Sequence, residues 1–219
     1  MGYNDENVRR IVIDIETVAA PGCADLLDPV KAPAHYKDPA KIAVYCDEKQ
    51  HERIASAGLE ADLCEVVAVG WRLDDGPTAV LTRADGAEET LLGTLWSQID
   101  VRAVVGFNVL GFDLPVLIRR SQLLGVAYPS LNLDRYRTPH IDLIERLTFN
   151  GKLTYRSLAF YCRLFGIPCA DLTKGADIAL LVADGKWADV AAHCRADVEK
   201  TATLAQRLGW LARAETVVV

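Results

Sequence analysis

Two carboxylates on one face of an otherwise apolar strand constrain this chain more than any other feature. The segment Ile11-Val12-Ile13-Asp14-Ile15-Glu16-Thr17 has the β-branched, apolar composition of a buried strand. Side chains alternate along a strand, so Ile11, Ile13 and Ile15 share one face and Val12, Asp14 and Glu16 share the other. The two acids then stand about 7 Å apart along the backbone. Unpaired carboxylates are expensive to desolvate. A divalent cation removes both that cost and the repulsion between them. An edge strand with solvated acids is the alternative, but a metal site accounts better for the apolar surroundings.

The chain has 219 residues, enough for one substantial core with an appendage. Its formal net charge of −6 excludes a uniformly basic nucleic-acid coat. A nucleic-acid partner must be held by a local basic patch or by metal ions. Six cysteines occur without a C-x-x-C pair or a histidine cluster, so they read as reduced thiols rather than zinc ligands. The first ten residues carry acids and no apolar core, so no signal peptide is expected. No apolar run approaches the roughly 18 residues that span a bilayer. The expectation is a cytoplasmic protein with no membrane partner.

Along the chain, strands are expected at 10–17, 65–72, 78–82, 103–107 and 139–144. Helices are expected at 87–98, 114–124, 154–165, 176–183 and 187–210. Residues 18–62 differ in kind. Pro21, Pro29, Pro33 and Pro39 break the first half, and a helical pattern follows, so this stretch reads as a loop-and-helix insertion. Three leading strands predict an antiparallel meander, and the later alternation predicts parallel additions to the same sheet. The fold class is therefore α/β, a five-stranded mixed sheet flanked by helices, with residues 1–219 forming one domain around the insertion.

Two further acidic motifs stand out. After the fourth strand comes Gly106-Phe107-Asn108-Val109-Leu110-Gly111-Phe112-Asp113-Leu114-Pro115. Asp113 fits a helix N-cap, with Pro115 in the first turn. It also sits at the carboxyl end of a strand, where open α/β sheets place ligands. Gly106 and Gly111 would let a substrate approach the backbone. On the last helix, His193 and Asp197 are four residues apart and share a face. A solvated surface pair is the simple alternative.

These residues resemble the DEDD 3′–5′ exonucleases, which have a ribonuclease-H-like fold. The resemblance covers about residues 10–205. It rests on D-x-E at Asp14 and Glu16, N-x3-F-D at Asn108 to Asp113, and Asp197 on the last helix. The most similar branch is the proofreading domains of family B DNA polymerases and their stand-alone phage and bacterial relatives. Arg156-Ser157-Leu158, Leu164-Phe165-Gly166-Ile167-Pro168 and Lys174-Gly175-Ala176-Asp177-Ile178 support that branch. The final motif there usually reads Tyr-Cys-x-x-Asp-Val-x-x-Thr, against His193-Cys194-Arg195-Ala196-Asp197-Val198-Glu199-Lys200-Thr201 here. His193 stands where that pattern has tyrosine, and the histidine-type pattern would place its histidine at Ala192. Residues 32–42 also resemble a segment of some phage and prophage exonucleases.

The resemblance implies a phosphodiester hydrolase that releases nucleoside 5′-monophosphates from the 3′ end of single-stranded DNA. It implies two Mg²⁺ or Mn²⁺ ions on Asp14, Glu16, Asp113 and Asp197, with His193 orienting or deprotonating the attacking water. Candidate substrate contacts are Thr17, Asn108, Phe112, Lys152, Arg156 and Lys174. Asp142, on the fifth strand, reads as a structural hydrogen-bonding group. An RNA-directed exonuclease and a non-catalytic nucleic-acid-binding protein with the same fold are the alternatives. A replication or repair protein partner is not specified by these residues.

Overall fold

The computed structural model describes residues 9–169 and 175–211. Five strands form one mixed sheet: β1 (Arg10–Ala19), β2 (Cys64–Leu73), β3 (Ala79–Thr82), β4 (Ala103–Gly106) and β5 (Ile141–Asp142). Their spatial order is β3-β2-β1-β4-β5. β1 pairs antiparallel with β2, and β2 pairs antiparallel with β3. β4 runs parallel to β1, and β5 runs parallel to β4. This is the ribonuclease-H-like arrangement expected: a meander, then parallel additions.

The alternation along β1 sorts its side chains as the strand period requires. Ile11, Ile13 and Ile15 join a core with Val66, Val69 and Val104. Helices α2 (Glu88–Ile99) and α3 (Asp113–Leu124) cover this core through Leu91, Leu92, Leu95, Leu114 and Leu117. Val12 faces the other side, into a core with Val105, Val198 and Ala202. The cover there includes α5 (Leu158–Leu164) and the long helix α7 (Trp187–Arg207). Glu88 ties the first layer together. Its Oε1 accepts from the Val66 backbone N–H and from Arg120 Nε, and its Oε2 accepts from Arg120 Nη2 at 2.7 Å. A buried carboxylate bonded this fully fixes the start of α2 and the middle of α3 against β2.

Helix α7 buries Val190, Cys194, Val198, Thr201 and Ala205, a stripe at helical spacing. It lies close to the sheet because β2 offers small residues beneath it. Ala68 is fully buried against Val190 and Cys194. At Gly70 a Cβ would come within 2.8 Å of Cys194 Sγ and 2.9 Å of Val198 Cγ2. Gly70 also lies directly opposite Asp14 in the β1–β2 ladder.

Three expectations about elements change. The strand expected over 139–144 is only Ile141–Asp142, because the Asp142 carboxylate accepts from the Ile144 N–H and starts helix α4 (Leu143–Leu147). The helix expected over 154–165 begins at Leu158. Ser157 is its N-cap, accepting from the Phe160 N–H at 3.2 Å. The 176–183 helix becomes a 3₁₀ turn at Gly175–Asp177 followed by α6 (Ile178–Ala183). Within the insertion, α1 (Pro39–Ser56) buries no residue and is capped by Asp38 through the Ala40 N–H. No helix among the described residues is long and apolar enough to cross a membrane.

Gly70→Ala should push α7 away from the sheet, since the new methyl meets side chains already in contact. The expected loss is about 1–3 kcal/mol, as for other overpacked cores, read as a lower urea midpoint with unchanged slope. An unchanged midpoint would mean that α7 is not held at this closeness by the glycine.

Candidate active site

Asp14 lies at the centre of the acidic site. Burial raises its carboxyl pKa well above the ordinary value, and Glu16, Asp113 and Asp197 raise it further, while Lys200 opposes them. Carboxylates from β1, α3 and α7 therefore act on Asp14, in the middle of the central strand. Glu16 and Asp113 are buried side chains. Asp197 is half-buried, and its Oδ1 faces the ammonium of Lys200, three residues further along α7.

Asp113 is not an N-cap. It is the first residue of α3, and the cap position is Phe112, whose side chain makes no cap bond. Its carboxyl instead feels the backbone N–H groups of Asp113 itself and of Ile15, both of which lower its pKa. The Ile15 N–H is reachable because β4 pairs with β1 only from Arg10 to Val12. Burial, followed by the nearby Asp142 charge, pushes Asp113 up to about 7, against the lowering effect of those two N–H groups.

The loop that delivers Asp113 is organised by Asp142. Its Oδ1 accepts from the Asn108 and Ile144 N–H groups and its Oδ2 from the Leu110 N–H, each at 3.0 Å. Burial raises the Asp142 pKa, and these N–H groups oppose that rise. Asn108 adopts φ 67° at the turn. The space at Gly106 and Gly111 is taken by the side chains of Val109 and Asn108. Those glycines therefore permit a tight loop; they do not open the backbone to substrate.

His193 is buried, and its Nε2 lies 3.7 Å from Glu16 Oε1. It is not a surface residue. Cys194 is a neighbour that sequence pattern alone did not single out. Ligand atoms of Asp14, Glu16 and Cys194 lie within 4.8 Å of one another, a grouping that can hold a metal ion. Burial and the four acids push the Cys194 thiol pKa well up, so it stays protonated, and it donates to the Asp14 backbone carbonyl at 3.7 Å. The donors left for a cation are carboxylate oxygens, which suit a hard divalent ion. The signal for Cys194 was its position three residues before Asp197, on the same helical face.

The substrate-contact candidates are dispersed. The Thr17 hydroxyl donates to the Gly58 carbonyl at 2.6 Å, tying the insertion to β1 beside the β-bulge after Glu16. Asn108 is exposed, whereas Phe112 is half-buried against the core that covers α3. Lys152 and Arg156 are exposed and line a groove beside α5. Lys174 lies outside the described residues.

A ribonuclease-H-like sheet with acids clustered around Asp14 on its central strand defines the class. The chain belongs to a family described as "Predicted 3'-5' exonuclease related to the exonuclease domain of PolB", whose model matches residues 56–212. That match includes Asp113, His193 and Asp197 but begins after Asp14 and Glu16. Among solved structures, the fold is similar to that of the family B DNA polymerase from the hyperthermophilic archaeon Pyrobaculum calidifontis. The TM-score is 0.59 at 19% identity, covering 92% of this chain and 24% of the polymerase. The chain thus spans about a quarter of that polymerase. No curated protein matches.

The acid cluster has a consequence for metal-free stability. Asp14 and Asp113 have raised pKa values when folded, so the folded state binds more protons than the unfolded chain between the ordinary carboxyl range and about pH 7. Stability contributed by these groups is therefore gained as pH falls through about 7 and lost as pH rises. In EDTA, the melting temperature should rise by about 3 °C or more between pH 8 and pH 6. Asp113→Asn should flatten that slope. A wild-type melting temperature that falls over the same interval would contradict the electrostatic account.

Proposed function

We propose that this chain removes nucleoside 5′-monophosphates one at a time from the 3′ end of single-stranded DNA. In this reading Asp14, Glu16, Asp113 and Asp197 hold two Mg²⁺ or Mn²⁺ ions. The observation that carries it is the convergence of three carboxylates, Glu16, Asp113 and Asp197, on Asp14 from three separate elements. Family membership supports the 3′–5′ exonuclease class.

When bound, such ions would supply water activation and stabilise the leaving oxygen of the displacement. The chain's own residues do the rest. Asp113, held near pKa 7, gives up its proton as a cation is taken up, so loading is easier above neutrality. Lys200 supplies part of the positive charge that the acids need, through its contact with Asp197. His193, beside Glu16, orients the attacking water and takes its proton. Asn108 and Phe112 hold the terminal nucleotide from the loop anchored by Asp142. Thr17 positions the turn at Gly58 next to Glu16.

A 5′-labelled single-stranded oligonucleotide with Mn²⁺ should give a descending ladder. Label released first as a mononucleotide, or cutting of closed circles, would contradict the polarity. A matched RNA substrate decides the sugar preference. Asp14→Ala/Glu16→Ala should remove nearly all turnover while the protein stays folded, and comparable turnover in that variant would sink the assignment. Separately, His193→Ala at saturating Mn²⁺ should slow turnover by roughly 10²–10⁴-fold. His193→Tyr should recover part of the loss by orienting the water through a hydroxyl. Near-wild-type turnover of His193→Ala would remove His193 from the mechanism.

A further inference from the structure

A groove of about 930 Å³ opens between α4, the 148–157 segment, α5 and the turn after α7. Its lining includes the rings of Tyr136, Phe149, Phe160 and Trp210. Tyr136 is 73% exposed and Phe149 63% exposed. Rings left open together on one concave surface mark a contact site for something that covers them.

The same groove carries Arg146, Lys152 and Arg156. Arg146 lies over the Trp210 ring at 4.9 Å, and Arg156 lies over the Phe160 ring at 5.4 Å. Cations and ring faces therefore alternate along the wall. Among the described residues Glu145 is the one acid in the lining, and it is already paired with Arg135. The groove is thus locally positive on a chain whose net charge is −6. It also adjoins the loop that carries Asp113. Tyr161, in the groove wall, contacts the ring of Phe107 at 6.1 Å, and Phe107 directly follows β4.

We propose that this groove binds the unpaired nucleotides on the 5′ side of the reacting terminus. Their bases stack on Tyr136, Phe149 and Phe160, and their phosphates meet Arg146, Lys152 and Arg156. Stacking tolerates any base, and cations that track the backbone are sequence-blind, so the groove lengthens the contact without imposing a sequence. A protein partner would also use aromatic and arginine side chains. Three cations against one neutralised acid favour a polyanionic strand. The inference rests on the exonuclease reading for the identity of the strand, but it uses none of the four acids.

The test is fluorescence anisotropy with labelled oligothymidylates of three and twelve residues, in Ca²⁺. The wild type should bind the longer strand at least ten-fold more tightly, with log affinity falling against log salt at a slope of about −2, as three phosphate contacts require. Phe149→Ala and, separately, Lys152→Glu alter exposed side chains, so their melting temperatures should stay near that of the wild type. Each should cost the longer strand roughly ten-fold in affinity and shrink the length discrimination. Variants that keep the full wild-type discrimination, or a wild type that does not distinguish the lengths, overturn the groove assignment. Hydrolysis of thymidine 5′-phosphate p-nitrophenyl ester reports the acid site alone. Turnover of that ester without length-dependent binding removes the groove and leaves the exonuclease reading. Length-dependent binding with no turnover of ester or oligonucleotide removes the exonuclease reading and leaves the groove.

Discussion

Mutual repulsion among four carboxylates is the constraint around which this structure is organised. Placed within reach of one another and partly out of water, such groups hold protons that ordinary carboxyls release. Asp14 shows this, raised first by burial and then by Glu16, Asp113 and Asp197, while Asp113 is raised by burial and by Asp142. Only a packed scaffold keeps such groups together. Gly70 and Ala68 let α7 approach the sheet and bring Asp197 over β1. Asp142 holds the loop that brings Asp113 from the other layer. Glu88 and Arg120 pin α3 behind it.

The shortness of β4 matters for the same reason. Because it pairs with β1 only through Val12, the β1 backbone beyond that point is open on one side. The Ile15 N–H there acts on the Asp113 carboxyl and lowers its pKa. A longer β4 would have used that donor in the ladder and left the carboxylate without it. Strand length, loop anchoring and helix approach thus converge on the same few ångströms. The burial of His193 beside Glu16 follows from the closeness of α7.

Much of this was legible in the chain. The two-residue period of β1 separates Ile11, Ile13 and Ile15 from Asp14 and Glu16, and the packing obeys it. The helical spacing of His193 and Asp197 placed both on one face of α7. Other features depend on contacts between distant segments, which local patterns do not encode. Asp142 ends β5 early because its carboxylate serves three N–H groups, two of them more than thirty residues away. Gly70 looks like an ordinary strand glycine until α7 packs over it. Cys194 reads as one more thiol until its helix brings it against Asp14. The aromatic groove joins Tyr136 to Trp210 across more than seventy residues of chain, so no window of sequence contains it.

Anomalous scattering from a crystal grown with Mn²⁺ tests the central claim most directly. The account predicts two peaks roughly 3.5–4 Å apart, in contact with carboxylate oxygens of Asp14, Glu16, Asp113 and Asp197, with the Cys194 sulfur outside the coordination sphere. Absence of manganese from these acids at saturating concentration would contradict it. So would a single ion held through Cys194, because the acids would then be gathered for a purpose other than two-cation catalysis.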